Sequence, residues 1–344
     1  MTSQSPFNGS TAGSLPRVIF GTSCLCNLYA AVPDQTKDAI VAQSVQRSTP
    51  PAAFDSAGKY GAGLALEVLG RNLRRLGVAP DQVLISNKLA WYRVPLRGPE
   101  PTFEPGVWAG LAHDAEQRIS AEGIHACWQQ GNALLGAPYR AQLASVHDPD
   151  EYLAGGGPER WADVRAAYAT LHELKRAGEV AAIGVGSKDW RVIQRLSREV
   201  ELDWVMLACS FTVYRHEPAV LAFIGELLGR GTQIINSAVF NAGFLTGGRY
   251  FDYRIPDAAA AADAPLFAWR ESFLALCARH QVSPAAACVE FGLSAPGIVS
   301  VSLNTGHPER VAENIALGQA RAPGAFWTAM KEAGLIRRDY PYLG

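Results

Sequence analysis

The fold of this chain is decided by how its short apolar runs end, and the first telling case is AAFDSAGKYG (residues 52–61). The run turns polar at Asp55, and Tyr60 follows five positions later in a loop flanked by glycines. An aspartate at the end of a strand is usually a helix cap or a turn former. Its meaning here depends on how the other apolar runs of the chain end.

Seven further β-rich runs recur along the chain, separated by longer segments. The eight runs are RVIFGTS (17–23), AAFDSA (52–57), VLISNKL (83–89), AQLASVHD (141–148), AAIGVGS (181–187), WVMLACSF (204–211), TQIINSA (232–238) and IVSVSL (298–303). The intervening segments with helical periodicity include 64–77, 160–178, 189–200 and 218–231. Eight strands with crossover helices and no break in composition predict a single α/β domain, a (β/α)8 TIM barrel.

A doubly wound open sheet is the alternative for such an alternation. That fold normally carries a Gly-rich dinucleotide fingerprint in its first βα turn. Here the first strand is followed by GTSCLCN, which has one glycine, and no GxxxxGK[ST], HExxH or GxSxG motif is present. The sequence therefore favours the barrel, over residues 17–344, with a C-terminal extension.

The bulk composition narrows the class of protein. The 344 residues are 48% hydrophobic and 18% charged with a net charge of -1, which suits a globular protein with a large core and no electrostatic preference for nucleic acid or an anionic membrane. Residues 1–16 lack the basic start and apolar core of a signal peptide, and we expect a disordered polar leader. Six cysteines without a CxxC pair predict reduced thiols, no metal site and a cytoplasmic location. The oligomeric state is left open.

The barrel prediction gives the strand ends a shared meaning. Active sites of such barrels are built from the carboxyl ends of the strands, where Asp55, Lys88 and His147 end the second, third and fourth strands beside Tyr60. Lys88 lies in a hydrophobic run where an unpaired ammonium is costly, so Asp55 on the neighbouring strand is its expected partner. The later strands end in, or are followed by, Ser187, Ser210, Ser237 and Asn304.

A tyrosine beside a lysine–aspartate pair has a chemical use. The pKa of a free phenol is about 10, and a nearby cation lowers that pKa toward the range where general acid–base catalysis is efficient. His147 can donate a hydrogen bond to a carbonyl oxygen and orient it. The set moves a proton at a carbonyl or alcohol oxygen but supplies no nucleophile, so it predicts hydride transfer with a bound nicotinamide.

These residues resemble the aldo-keto reductase superfamily over roughly residues 17–318. FDSAGKYG resembles its FDTAxxYG signature, ISNKLAW its lysine-bearing strand and SVHDPDEY its histidine-bearing strand. The resemblance implies a catalytic tetrad of Asp55, Tyr60, Lys88 and His147. It also implies an extended NAD or NADP, bound without the dinucleotide fingerprint.

Further motif matches concern that cofactor. AAIGVGSKDW resembles the family's IGVSNF, NSAVFNAGFLTGG resembles the loop over the pyrophosphate, and HPERVAENIAL resembles the terminal RxxEN motif near the adenosine. Ser187 stands where an asparagine usually holds the carboxamide. The cofactor-binding candidates are Gly21, Thr22, Ser187, Ser210, Ser237, Val239, Asn241, Asn304, Arg310, Glu313 and Asn314.

Asn304 predicts a preference for NAD over NADP. In NADP-using members a cation commonly lies six residues before the arginine of the RxxEN motif, and six residues before Arg310 is the neutral Asn304. The 2′-phosphate of NADP is a dianion that lysine or arginine holds best. Arg310 can still accept the phosphate, so the prediction is a preference and not an exclusion.

Within the superfamily, SVHDPDEY and VFNAGFLTGG look most similar to the branch of L-fucose (D-threo-aldose) 1-dehydrogenases, with L-galactose dehydrogenases and pyridoxal 4-dehydrogenases as close relatives. That branch implies oxidation of an aldose at C1 to the lactone, with Tyr60 as the base. Pyridoxal oxidation and general aldehyde or ketone reduction are alternatives. A cofactor-binding regulatory subunit is the non-enzymatic alternative.

The stretch from 91 to 110 is predicted to be a long loop after the third strand and a substrate lid. Trp91, Tyr92, Trp108 and Trp128 are candidates to stack on a sugar or pyridine ring, although Trp128 fits packing on a helix equally well. PDAAAAADAP (256–265) is predicted to be a surface loop.

Overall fold

Eight parallel strands close into a barrel, and a separate antiparallel pair of strands lies beside it. The structure is a computed structural model that describes residues 15–252 and 254–344. The strands are β1 (Val18–Gly21), β2 (Ala52–Ala57), β3 (Val83–Leu89), β4 (Trp91–Pro95), β5 (His113–Gln117), β6 (Leu143–His147), β7 (Ala182–Ser187), β8 (Trp204–Ala208), β9 (Gln233–Ser237) and β10 (Ile298–Leu303). Around the barrel the order is β1, β10, β9, β8, β7, β6, β3, β2. All eight runs predicted from the sequence are barrel strands, so the predicted fold is confirmed.

Helices surround the barrel and follow its strands. In the described part of the chain the α-helices are α1 (Asp34–Arg47), α2 (Leu64–Arg75), α3 (Ala121–Leu135), α4 (Pro149–Ala154), α5 (Glu159–Arg176), α6 (Trp190–Glu199), α7 (Pro218–Gly229), α8 (Ala264–Arg279), α9 (Pro284–Gly292), α10 (Val311–Leu317) and α11 (Gly324–Glu332). The four helical segments predicted from the sequence correspond to α2, α5, α6 and α7. Local sequence starts α6, because the Asp189 carboxylate accepts a hydrogen bond from the Arg191 backbone N–H at 2.9 Å.

Apolar side chains fill the barrel near the amino ends of its strands. Trp204 is fully buried there, and the Cβ of any other residue at Gly184 would lie 2.3 Å from its indole. The amino end of the barrel is therefore packed, and the carboxyl ends carry the open site.

The boundary of the expected leader falls close to this packed end. Residues 1–14 lie outside the described residues. Leu15 is buried in the apolar layer, and the Pro16 carbonyl accepts a hydrogen bond from Ser300 Oγ at 2.6 Å. The two last residues of the expected leader, 1–16, therefore pack against the barrel.

The expected loop over 91–110 is partly strand. β4 pairs antiparallel with β5, with Trp91 opposite Gln117 and Pro95 opposite His113. We call the segment between the two strands, residues 96–112, the excursion. The sequence does not predict this pairing, because HDAEQ has little β-propensity. Tertiary contacts hold the ribbon: the side chain of Gln130 on α3 accepts from the Arg93 backbone N–H at 2.7 Å and donates to its carbonyl at 3.0 Å.

The excursion is bound to the loop that follows β1. The Tyr29 backbone N–H donates to the Val107 carbonyl at 2.8 Å, and Asn27 Nδ2 donates to the Ala109 carbonyl at 3.0 Å. These bonds fix the excursion as a wall above the barrel mouth.

The C-terminal extension packs against the opposite side of the barrel. His216 Nε2 accepts a hydrogen bond from the Arg337 backbone N–H at 3.2 Å, and Tyr340 stacks on Phe291 with ring centroids 4.7 Å apart. Burial lowers the pKa of His216, which keeps the ring neutral and able to accept that bond. All six cysteines are free and buried. Across the described ranges, no helix is both long and apolar enough to cross a membrane.

Candidate active site

Strand register brings Lys88 and Asp55 together at the mouth of the barrel. β2 and β3 pair in parallel with Asp55 opposite Ser86 and Ala57 opposite Lys88. Lys88 Nζ lies 2.5 Å from Asp55 Oδ2, and the two side chains are 2% and 4% exposed. The partner predicted for Lys88 is therefore the one it has, and the carboxylate balances a charge that would be costly to bury alone.

A tight turn after β2 presents Tyr60 to this pair. Gly61 has φ +59°, and a Cβ there would lie 2.5 Å from Cys26 Cβ, so the turn requires glycine. Lys88 Nζ lies 4.6 Å from the centre of the Tyr60 ring, and the His147 ring meets the Tyr60 ring edge-on at 5.5 Å. All four residues of the predicted tetrad line one cavity.

His147 is neutral in this environment. Burial lowers the pKa of His147 well below its ordinary value of 6.5, and the positive charges of Lys88 and Lys59 lower it further. His147 Nε2 lies 3.6 Å from Asp148 Oδ2. A neutral imidazole can donate one hydrogen bond to a substrate oxygen without bringing a second charge beside the ammonium.

The cavity extends from the tetrad along the strand ends and has a volume of about 630 Å³. Eight of the eleven cofactor candidates line it, namely Gly21, Ser187, Ser237, Val239, Asn304, Arg310, Glu313 and Asn314. A cavity that runs from the tetrad to the start of α10 suits an extended ligand with its reactive end at the barrel axis.

The other three candidates support the cavity walls from behind. Thr22 Oγ1 donates to the Asp55 carbonyl at 3.0 Å, Ser210 Oγ donates to the Lys188 carbonyl at 2.8 Å, and Asn241 Nδ2 donates to Asp252 Oδ1 at 2.9 Å. Sequence position alone could not separate these residues from lining residues, because a strand end supplies both inward and outward side chains.

The loop after β9 has the backbone of an anion site. Ala238, Asn241, Ala242 and Gly243 have φ of 55°, 46°, 58° and 90°, and Ala238, Ala242 and Gly243 line the cavity. The Asn241 and Gly243 N–H groups donate to the Ala238 and Phe240 carbonyls at 2.8 and 3.0 Å, so the loop is a series of tight turns. Backbone turns can form concave sites that hold phosphate groups. Non-glycine residues adopt this region at a cost, and such strain clusters at ligand sites. The loop therefore fits the pyrophosphate of a dinucleotide.

Ser187 fits the other end of such a cofactor. Its Oγ donates to Asp150 Oδ1 at 2.6 Å and accepts from the Asp189 backbone N–H at 3.1 Å. With its proton directed to Asp150, the hydroxyl presents its remaining lone pair, which can accept a carboxamide N–H.

The chain matches the model of the aldo/keto reductase family over residues 17–334. It belongs to the aldo/keto reductase family. Two curated relatives are similar along their whole lengths. A pyridoxal 4-dehydrogenase from Microbacterium luteolum is 26% identical, over 95% of this chain and 96% of the relative. A D-threo-aldose 1-dehydrogenase from a Pseudomonas species is also 26% identical, over 98% and 99%.

Solved structures agree with the barrel fold. A glycerol dehydrogenase from Gluconobacter oxydans superimposes with a TM-score of 0.67 at 16% identity, covering 94% of this chain and 92% of that one. An aldo-keto reductase from Bacillus halodurans, in its holo form, gives 0.65 at 14% identity, covering 93% and 92%. The family match and the two dehydrogenase relatives together show that this aldo/keto reductase is an NAD(P)-dependent oxidoreductase.

Of the aromatic candidates for substrate contact in this aldo/keto reductase, Trp108 lines the cavity. Its ring centroid lies 6.2 Å from that of Tyr60. Trp91 packs on Phe103 at 5.8 Å, Tyr92 lies under Arg118, and Trp128 is buried in the core on α3. None of the last three is among the lining residues.

A charged cluster that was not predicted from the sequence lies at the same end of the cavity as Tyr60 and Trp108. Lys59 Nζ lies 2.8 Å from Glu104 Oε1, 2.8 Å from Glu151 Oε2 and 3.4 Å from Asp148 Oδ2. Lys188 Nζ lies 2.7 Å from Glu151 Oε1. The sequence does contain a clue to this cluster. Its members Lys59, Asp148 and Lys188 are direct sequence neighbours of Tyr60, His147 and Ser187.

Proposed function

We propose that this aldo/keto reductase oxidises the C1 hydroxyl of an aldose to a lactone and reduces NAD. The observation that carries the proposal is the shared cavity, which joins the Lys88–Asp55 pair, Tyr60 and a neutral His147 to a phosphate-fitting loop. The similarity to a D-threo-aldose 1-dehydrogenase supports an aldose as the substrate.

Each tetrad residue has a role in the proposed reaction. A bound oxidised nicotinamide supplies the acceptor for the hydride that leaves C1. Tyr60, as phenolate, takes the proton of the C1 hydroxyl, so that the two electrons of the C–H bond leave with the hydride and the C=O bond forms. The ammonium of Lys88 stabilises the phenolate, and Asp55 holds Lys88 in place through the ion pair. His147 donates a hydrogen bond to the reacting oxygen and orients it.

Cofactor contacts follow from the cavity lining. Ser187 would hold the carboxamide, the loop after β9 the pyrophosphate, and Arg310 with Asn314 the adenosine end. Asn304 donates through Nδ2 to Ser23 Oγ at 2.7 Å and carries no charge for a 2′-phosphate. This supports NAD as the preferred cofactor, with NADP accepted more weakly.

Oxidation of pyridoxal is the second candidate. A pyridoxal 4-dehydrogenase is as similar to this chain as the aldose dehydrogenase is, at 26% identity. The same tetrad would remove a proton and a hydride from either substrate, so the chemistry does not separate them.

An initial-rate screen tests the proposal. L-Fucose, L-galactose, D-arabinose, pyridoxal and simple aldehydes are each offered with NAD(H) and with NADP(H), and nicotinamide absorbance is followed. We expect reduction of NAD by at least one aldose with release of acid as the lactone hydrolyses. Turnover of pyridoxal with no aldose activity would replace the proposal by the second candidate.

A further inference from the structure

A buried lysine that the tetrad does not use lies beside Tyr60. Lys59 is 2% exposed, and its ammonium contacts carboxylates from two separate parts of the chain, Glu104 of the excursion and Asp148 with Glu151 around the start of α4. Burial by itself would lower the pKa of Lys59, but the three carboxylates outweigh burial and raise that pKa. Lys59 therefore stays charged and bridges the excursion to the barrel.

Glu104 links Lys59 to Trp108, an aromatic residue that lines the cavity. Glu104 Oε1 contacts the Lys59 ammonium at 2.8 Å, and its Oε2 accepts the indole N–H of Trp108 at 2.9 Å. Both carboxylate oxygens are engaged, so the direction of the Trp108 indole is set by the ion pair behind it. The ring is 8% exposed, lines the cavity and lies next to Tyr60.

Lys59 also contacts Asp148, which belongs to the polar part of the cavity lining. Asp148 directly follows His147, lines the cavity and has its side chain 9% exposed. Two cations, Lys59 and Lys188, here face three carboxylates, Asp148, Glu104 and Glu151, which leaves an excess of negative charge. Such a wall suits a neutral ligand with hydroxyl donors and disfavours a phosphate or carboxylate group.

We propose that Lys59 is a specificity-determining positioning residue for a neutral, hydroxylated ring. It orients Trp108, through Glu104, against the face of the ring and directs the Asp148 carboxylate to the hydroxyl groups on its edge. An aromatic face opposite polar acceptors matches a ring with an apolar C–H face and polar rim. This inference rests on the proposed function, since an aldose is the ring that the site would hold.

Lys59→Met tests the proposal through the split between KM and kcat. We expect KM for the aldose to rise on the order of ten- to a hundredfold, because the ring loses its positioning, while kcat falls by less than about threefold. The Kd of reduced cofactor, read from nicotinamide fluorescence, should stay unchanged. Lys59→Arg, which keeps a cation at this position, should recover most of the loss in KM.

Two further variants keep the test independent of how Lys59→Met folds. Glu104→Gln weakens the ion pair and Trp108→Phe removes the indole N–H, and both should raise KM with cofactor affinity intact. Lys175→Met is the matched control, because Lys175 forms an ion pair with Asp203 away from the cavity, with Nζ 2.6 Å from Oδ1. It should leave KM unchanged.

The outcomes separate this inference from the proposed function. If wild type oxidises pyridoxal and no aldose, the proposed function fails, and the same KM comparison is made with pyridoxal, which is also a neutral hydroxylated ring. A fall in kcat or in cofactor affinity with KM unchanged in Lys59→Met, Glu104→Gln and Trp108→Phe would overturn the role of Lys59.

Discussion

Two buried lysines flank Tyr60, and their surroundings differ in kind. Lys88 is held on a barrel strand by one carboxylate, Asp55, from the neighbouring strand. Lys59 lies in a loop and is held by three carboxylates from outside the barrel sheet, Glu104, Asp148 and Glu151. The first arrangement places a cation over the Tyr60 ring, and the second ties together the walls around the substrate. The difference supports the two proposed roles, in which Lys88 stabilises the Tyr60 phenolate and Lys59 positions the substrate ring.

Lys88→Met should have the largest effect and most directly challenges this division. Removing one partner of a buried ion pair leaves an uncompensated charge, which costs about 3–5 kcal/mol of the free energy of unfolding. Turnover should also fall, on the order of 100-fold or more, because the phenolate loses its cation. Urea unfolding and initial rates measure the two losses. Lys88→Met/Asp55→Leu should regain stability without regaining kcat; a double variant that regains turnover contradicts the assignment.

Tyr60→Phe sharpens the comparison by removing the group that Lys88 faces. We expect kcat to fall on the order of 100-fold or more, with cofactor still bound, because the phenol that takes the proton in the proposed mechanism is gone. Steady-state rates and cofactor fluorescence check both parts. Phe103→Leu, an aromatic change in the excursion, is the control and should lower kcat far less. Near-wild-type turnover in Tyr60→Phe is incompatible with the proposed mechanism.

Asn304→Lys extends the comparison to the distant end of the cavity. A lysine there would pair with a 2′-phosphate, so the ratio of kcat/KM for NADP to that for NAD should rise about ten- to a hundredfold. Asn304 lies at the cavity, whereas the exposed Gln319 does not line it, so Gln319→Lys is the matched control. A wild type that already prefers NADP tenfold would show that Asn304 does not set the preference.

The smallest expected effect is a loss of stability on acidification. Burial lowers the pKa of His147, with Lys88 and then Lys59 adding to it, and burial also lowers the pKa of His216. Below pH 6.5 the folded state therefore binds fewer protons than the unfolded state. The stabilisation is fully present above pH 6.5. As the pH falls below 6.5, the free energy of unfolding decreases by about 1.4 kcal/mol per pH unit for each histidine.

Urea unfolding between pH 7.5 and 5.5 measures this slope. His216→Gln should reduce it by about half, while His125→Gln, on the exposed face of α3, should not change it. A wild-type stability that does not fall between pH 7.5 and 5.5 would mean that neither buried histidine is held neutral by the fold.

The same two lysines explain how much of the molecule could be predicted from the sequence. Lys88 and Asp55 were predictable because each ends an apolar run, and parallel strands bring such ends to one rim. All eight barrel strands were predictable from the alternation of short apolar runs with segments of helical periodicity. The partners of Lys59 were not predictable. Asp148 and Glu151 lie 89 and 92 residues further along the chain, and Glu104 belongs to an excursion whose path depends on tertiary contacts.

The β4–β5 ribbon was not predictable for the same reason, because its path also depends on tertiary contacts. The strand β5 has the sequence HDAEQ, which no local pattern marks as a strand, so the ribbon with β4 was expected to be loop. Trp91 and Tyr92, which were predicted as substrate contacts, lie on that ribbon and pack on Phe103 and Arg118. Trp108, inside the excursion, is the candidate that lines the cavity.

The most direct test of the central claim is transfer of deuterium from C1 of an aldose. L-Fucose labelled with deuterium at C1 is incubated with NAD and the enzyme, and reduced nicotinamide and lactone are analysed by mass spectrometry, with Tyr60→Phe as the control. We expect one deuterium in the reduced nicotinamide, none at C1 of the product, and little transfer in the control. Reduction of NAD without deuterium in the nicotinamide, or full transfer in Tyr60→Phe, would contradict hydride transfer from C1 with Tyr60 as the base.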